Sequence, residues 1–535
     1  MDSTEKKIDI ICHDCDPSTT TQVSDASMKS EGELLSIKAR QKKVREALQK
    51  LNINIQEDEE PPVIALLGSG GGVRAMVALL GALTELAKMD VLDTITYICS
   101  TSGSTWCMSS LYNNEKWSSC MEEMESQIGD NLINQARNWN KTWEKLKQTF
   151  NKEDYSLTNF WAYVFTYAVI NDINEKSLSN HQMCCESGEN PYPIYSAVEE
   201  ASLHLNQPGA WFEYTPHLAG FPAYKAFVKT EQYGSQFKEG KLVKSHPEWD
   251  LCYLQGVWGS APAGSDSIKN MISDIIQKVF PSTTSEESFM DKLALPTEDI
   301  CVCNGCKKLR AFLSSHDLRE ITNTEVEMLF EDSDDPSHGF CEKVKVLLNT
   351  LKCLVGWQWG TTHNFLYEWS NNIPEDLYSK KFLSLIDAGL EINSAFPLML
   401  PPNRKVDLIL ALDYSEGDPF MTLKKTDEYC KKNGLPFPKI DIEDTESEAP
   451  SQSCYVFQGD GNRVPDVMHF PLFNNNNQSC EGKVHELRNK YRTRNFFYDK
   501  SDLKELLNIS KQNLELNKDR ILERIQQVIQ RKSCA

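Results

Sequence analysis

The chain has 535 residues, of which 40% are hydrophobic, and a formal net charge of −21. That length suits roughly two to four average domains, or one large α/β domain with insertions. A nucleic-acid backbone is neutralised by clustered Lys and Arg, so this charge argues against a nucleic-acid partner, and it gives no polybasic pull toward anionic membranes.

Residues 1–30 are polar and rich in Ser, Thr and Asp, and are expected to be a disordered tail. The opening Met1-Asp2-Ser3-Thr4-Glu5 lacks the apolar core of a secretory signal, so the 17 cysteines are read as reduced, mostly buried thiols. Cys12/Cys15 and Cys303/Cys306 have C-x-x-C spacing, but their separation matches no usual zinc module; they are read as loop cysteines, with no metal. Residues 31–56 predict an amphipathic helix, with Leu34, Ile37, Val44, Leu48 and Leu51 at three- and four-residue steps. Such a helix is expected to cover the main domain rather than lie on a membrane. Glu57 to Pro62 is a hinge that cannot continue a helix. Residues 57–535 read as one domain, with cap insertions over about 115–350 and a last helix over 502–531 capped by Ser501. No apolar run approaches the ~20 residues of a membrane span.

The domain is organised around Val63 to Trp106. An apolar run, Val63–Leu67, leads into Gly68-Ser69-Gly70-Gly71-Gly72, then a helical stretch from Val73; a second run, Ile95–Cys99, ends in Ser100-Thr101-Ser102-Gly103-Ser104. This predicts strand, loop, helix, strand, sharp turn, helix. Loops after parallel strands gather at one sheet edge, where ligands bind. Glycines let main-chain N–H groups approach an oxygen, and a helix start adds a positive dipole end; both suit an oxyanion hole. Ser102, just past a strand and before Gly103, has the setting of a nucleophile elbow, although both glycines of the usual G-x-S-x-G are serines here.

Rival readings stand beside this one. Gly70-x-Gly72-x-x-Ala75 also fits a dinucleotide fingerprint, but no carboxylate ends the second strand to hold a ribose. Close strand–helix packing alone would also account for the glycines. A base for Ser102 is offered by Asp387, after the strand Phe382–Ile386, or by His217 or His363 in a triad. Aspartate before a small-residue turn is also common as a cap. Tyr155 to Ile170, rich in aromatics, is read as core, and Val406–Leu412 as a further strand ending at Asp413.

Together these blocks resemble the group IV cytosolic phospholipases A2. The carriers are GSGGGVRAM at 68–76, YICSTSGSTW at 97–106, WGSA at 258–261, WGTTHNFL at 359–366, LIDAGL at 385–390, Asn393 to Pro397, and Asp418-Pro419-Phe420. Within the family the chain is most similar to the gamma type, which lacks a C2 module. The resemblance implies a three-layer α/β catalytic domain of the cytosolic phospholipase A2 / patatin-like type with a cap. It implies a Ser102–Asp387 dyad, an oxyanion hole from the Gly71 and Gly72 N–H groups, and Arg74 helping to hold the phosphate. The expected activity is hydrolysis of phospholipid and lysophospholipid acyl esters at a membrane surface, with transacylation as a further outcome. No cofactor or calcium is expected, since about sixty residues precede the catalytic stretch and no calcium-loop pattern occurs. The expected location is cytosolic and reversibly membrane-associated, without the prenylation box typical of the gamma type: only Ala535 follows Cys534. Ser100 stands where the family has glycine, which is expected to narrow or strain the elbow; the alternative is an impaired member acting as a lipid-binding or structural protein.

Overall fold

The computed structural model describes residues 30–134, 138–259 and 342–534, together with 307, 311, 312 and 324. The expected disordered tail, both C-x-x-C pairs, Ser260 and Ala261 of the WGSA block, and most of 260–341 in the expected cap fall outside these residues; the expectation that 115–350 is a cap needs correction, since this span supplies the strands Tyr192–Glu199, Trp211–Tyr214, Leu218–Phe221 and Ala226–Lys229 to the main sheet. Cys99, Cys107, Cys184, Cys185, Cys252, Cys353, Cys430, Cys454 and Cys480 are buried free thiols, and Cys120 is a half-buried one.

The sheet follows from apolar runs too short for helices. Strands β1 (Ile64–Gly68), β2 (Tyr97–Ser100), β3 (Tyr192–Glu199), β4 (Trp211–Tyr214), β5 (Leu218–Phe221) and β6 (Ala226–Lys229) precede a separate hairpin of β7 (Gln236–Lys238) and β8 (Lys241–Lys244). Strands β9 (Thr361–His363), β10 (Phe382–Asp387), β11 (Leu408–Asp413), β12 (Tyr455–Phe457) and β13 (Asp466–Pro471) complete the described set. Eleven of them form one mixed sheet, ordered β12-β13-β11-β1-β2-β3-β4-β5-β6, with β10 on β3 and β9 on β10. β1, β2 and β11 are buried at every position, as central parallel strands covered on both faces must be.

One feature of the register matters most. β2 pairs in parallel with the first half of β3, ending with Ser100 opposite Tyr195. β10 pairs antiparallel with its second half, ending with Asp387 opposite Ala197. β4 occupies the other edge of β3 at Tyr195 and Ala197 alike. β2 and β10 therefore run toward each other in a single lane and stop two β3 positions apart, about 7 Å at the usual strand rise.

Helix α1 (Glu31–Lys50) is capped by Ser30, whose Oγ accepts from Glu33 N at 2.9 Å. It packs on the domain, as its periodicity suggests, and is held there by buried charge. Arg40 donates to the carbonyls of Ile95, Leu92, Gly188 and Glu189. Arg404 donates to both oxygens of Glu213 at 2.8 Å and to Glu33 at 3.2 Å. The helix ends at Lys50, short of the expected residue 56, where Asn52 turns left-handed at φ 58°.

Other expectations need correction. The last helix is two helices, Lys500–Glu515 and Lys518–Cys534, and its cap is Asp499, which accepts from Asp502 N, not Ser501. The break is fixed by the buried Asn517, whose Nδ2 is spent on Ser453 Oγ and Asn513 O. Asn474 to Asn477 forms a turn, as its composition suggests, and two of its side chains are fully buried and bonded to Pro471 O, Asn513 and Ile509 O. The aromatic run is core, as expected, and is helical with a π-helical stretch at Trp161–Thr166.

Candidate active site

Ser102 sits between β2 and helix α3 (Gly103–Leu111) at φ 53°, ψ −130°, a conformation costly for a residue with a side chain. Such outliers cost about 1–3 kcal/mol and persist only where surroundings over-determine them. Here the surroundings do. Thr101 N donates to Gly68 O at 3.0 Å, Thr105 N to Ser102 O at 2.9 Å, and Ser104 Oγ to Ser69 O at 2.6 Å. Ser196 on β3 donates its Oγ to Ser100 O at 2.9 Å and lies 3.0 Å from Thr101 Oγ1. The strain falls on Ser102 and not on Ser100, whose φ is negative. Ser100 is fully buried and its Oγ faces Gly68, where a Cβ would lie only 2.9 Å from it; the extra atoms are housed because β1 ends in glycine.

The glycine loop lies against this elbow. Gly71 (φ 153°) precedes helix α2 (Gly72–Lys88), and Gly72 is left-handed at φ 59°. The helix thus starts one residue earlier than the expected Val73. Among the described residues neither the Gly71 nor the Gly72 N–H donates to a protein acceptor, as befits the first orphan donors of a helix. A Cβ on Gly103 would stand 1.9 Å from the Gly72 carbonyl oxygen, so loop and elbow touch backbone to backbone.

Asp387 is fully buried at the end of β10, and its Oδ1 accepts the Gly389 N–H at 2.8 Å. A Cβ on Gly389 would lie 3.0 Å from Asp387 Oδ1, 3.1 Å from Asn393 Oδ1 and 3.6 Å from Thr101 Cγ2. A Cβ on Gly70 would lie 2.4 Å from that same Asn393 oxygen and 2.8 Å from Ser102 Cβ. The aspartate turn, the serine turn and the glycine loop are therefore gathered at one place. Neither histidine is. His363 is paired with Phe382 at the opposite end of β10, its Nε2 3.3 Å from Gln236 Nε2, and His217 Nδ1 is 2.7 Å from Tyr192 Oη.

These segments enclose a cavity of about 190 Å³. Its polar side is Gly70, Gly71, Gly72, Arg74, Asn393, Glu416 and Thr493; Trp106, Leu390 and Phe496 form an apolar side, and Ser102 opens into it. Arg74 is buried and donates to the Tyr414 and Tyr491 carbonyls and to Thr493 Oγ1. Those bonds take three of the five guanidinium donors, leaving two. Burial lowers its pKa, against the opposing pull of Tyr498, Glu416 and Asp413. Asn393 lies in a block that carries the family resemblance, whereas Glu416, Thr493 and Phe496 carry no local sequence pattern that marks them as cavity residues; Thr493 lies in Lys490-Tyr491-Arg492-Thr493-Arg494, a charged stretch. Among the described residues no helix is long and apolar enough to cross a membrane.

The chain is similar to known proteins over most of its length. Residues 64–306 match the family described as lysophospholipase catalytic domain. The chain is 37% identical over 563 residues to cytosolic phospholipase A2 gamma of Mus musculus, covering 95% of this chain and 92% of that protein. It is 36% identical over 527 residues to cytosolic phospholipase A2 gamma of Homo sapiens, covering 93% and 94%. The solved structure of human GIVD cytosolic phospholipase A2 superposes with a TM-score of 0.67 at 23% identity, over 94% of this chain and 68% of that one, a likeness of fold.

Proposed function

Since the chain belongs to the group IV cytosolic phospholipase A2 family and is a hydrolase of that family, we propose that it cleaves acyl esters of glycerophospholipids and lysophospholipids through a Ser102–Asp387 dyad. The observation that carries this reading is the shared lane: β2 and β10 halt end to end beside β3, which brings the serine and aspartate turns together.

In the proposed reaction Asp387 accepts the Ser102 hydroxyl proton as Oγ attacks the ester carbonyl. The tetrahedral oxyanion is held by the Gly71 and Gly72 N–H groups. The intermediate collapses with cleavage of the bond to the glycerol oxygen, which takes the proton back from Asp387 and leaves as the alcohol of the lysolipid. Water, activated by the same carboxylate, attacks the acyl-serine and releases a fatty acid; a second lipid hydroxyl in place of water gives transacylation. The apolar side of the cavity at Trp106, Leu390 and Phe496 suits an acyl chain, and Arg74 with its two remaining donors suits a phosphate oxygen. Main-chain amides do the work on the oxyanion, so turnover is expected to survive EGTA. The protein is proposed to act from the cytosol on membranes it binds reversibly.

The test is covalent. A lipid fluorophosphonate should add to Ser102, located by peptide mass spectrometry, and Ser102→Ala and Asp387→Ala should each abolish both labelling and turnover while leaving the fold intact by circular dichroism. Activity that survives Asp387→Ala but not His363→Ala would replace the dyad with another base. A folded wild type that takes no label would favour the impaired reading that Ser100 raises.

A further inference from the structure

The orientation of an oxyanion donor is decided one peptide earlier. The Gly70 C=O and the Gly71 N–H belong to one trans peptide plane and point in opposite directions, so whatever holds the carbonyl aims the amide. In a run of three glycines that plane has little steric reason to choose either face, because positive φ costs glycine little. Within the loop Ser69 Oγ reaches the Gly70 carbonyl only at 3.4 Å, and the shorter holds come from outside it. Asn393 accepts from Gly70 N through its main-chain oxygen at 2.9 Å and donates from Nδ2 to Gly70 O at 3.2 Å. The carbonyl can only accept, which fixes the side-chain amide with its nitrogen toward the loop. A second bond, Nδ2 to Ser415 Oγ at 2.8 Å, holds that rotamer. Both polar groups of Gly70 are thus bound by one residue, six positions beyond Asp387 and on the wall of the Ser102 cavity.

Resting on the Ser102 reading, we propose that Asn393 is a positioning residue that fixes the Gly70–Gly71 peptide plane and thereby turns the Gly71 N–H toward the developing oxyanion. It touches neither the reacting carbonyl nor the serine proton. It couples the arm carrying the base to the loop carrying the donors, so the two halves of the site keep one relative geometry.

Three variants test this: Asn393→Ala, Asn393→Asp and the milder Ser415→Ala. Asn393→Ala removes the clamp, and Asn393→Asp, nearly the same shape, sets a carboxylate against the Gly70 carbonyl. Turnover should therefore fall in the order wild type, Ala, Asp, with kcat down ~10- to 100-fold for Ala and KM within about twofold, since one misaimed oxyanion donor costs up to about 10²–10³. A role in space-filling alone gives the opposite order, with the isosteric Asp the better tolerated. The second readout is affinity for two lipid analogues. A trifluoromethyl ketone, which adds the serine and forms an oxyanion, should weaken by the same factor as kcat; a non-hydrolysable diether phospholipid should not change. Ser415→Ala should show the same paired loss, smaller. If kcat falls while ketone affinity holds, or if Asp outperforms Ala, the positioning role is wrong and the dyad stands. A wild type that fails to bind the ketone overturns both.

Discussion

Substituting one atom's worth of space at Gly103 tests how tightly chemistry depends on the contact between loop and elbow. In Gly103→Ala the new Cβ would be built 1.9 Å from the Gly72 carbonyl oxygen and 2.6 Å from its carbon, whereas real Cβ atoms stay at least 3.0 Å away. Backbone lies on both sides, so no flexible side chain can swing clear, and loop and elbow must separate by about 1 Å. Overpacking of this kind costs about 1–3 kcal/mol of stability. The effect on turnover is larger. A displacement near 1 Å costs about 10²-fold where reacting groups must be aligned, and loss of one oxyanion donor costs about 10²–10³-fold. We expect kcat on a lysophospholipid substrate to drop by at least ~10²-fold, while far-UV circular dichroism stays native and the melting temperature falls by a few degrees. Fluorophosphonate labelling should slow in step, because its phosphoryl oxygen uses the same donors. A variant that keeps more than about a third of wild-type kcat would refute the claim that the Gly72 amide serves the reaction from the position observed.

Two further predictions concern buried polar groups. Ser100 Oγ is buried without a hydrogen-bond partner among the described residues. Leaving such a hydroxyl unsatisfied costs about 1–3 kcal/mol, so Ser100→Ala should raise the urea midpoint and leave kcat within about twofold; a lower midpoint would mean the hydroxyl is bonded in solution. Arg404 joins Glu33 of α1 to Glu213 of β4, with all three side chains at most 3% exposed. Arg404→Met strands two carboxylates in the core and should destabilise by about 3–5 kcal/mol in chemical denaturation. Burial already pushes the Glu213 carboxyl up against Arg404's pull, and without the arginine it rises further in the folded state. Raised folded pKa values make stability greater at low pH, so the deficit should shrink as pH drops toward about 5 and be full at neutrality; a pH-independent deficit would contradict the assignment.

The nucleus of the fold was legible because its strands are short apolar runs that end in residues with special backbone demands. Gly68 to Gly72 and Thr101 to Gly103 announce turns, and both occur as turns at the same edge. β10 and β11 could likewise be read from Phe382–Ile386 and Val406–Leu412, and the amphipathic stretch from Glu31 as a helix. The strands between 192 and 229 were not legible, since proline and aromatic residues blur period two when both faces of a strand are buried. Asn474 and Asn477 read as turn residues and lie in a turn, but their burial was not legible, because only tertiary partners such as Asn513 make it tolerable. Of the candidate site, Ser102 and Asp387 were visible from their strand ends, but the convergence of their two turns was implied only by the family resemblance. It depends on β10 entering the lane of β2, a fact of register that no local pattern encodes. Asn393 shows the same limit, since its partners are the Gly70 main chain, 323 positions away, and Ser415.

That lane has a consequence for how the polypeptide acquires competence. The elbow can form as soon as β1, β2 and β3 associate, yet the carboxylate arrives only with β10, synthesised nearly two hundred residues later than the end of β3. Non-local pairings of this separation are slow to form, because chain-closure entropy is lost before any contact compensates. A nascent or truncated chain therefore carries an unarmed serine, and ester-cleaving ability appears together with completion of the sheet rather than before it.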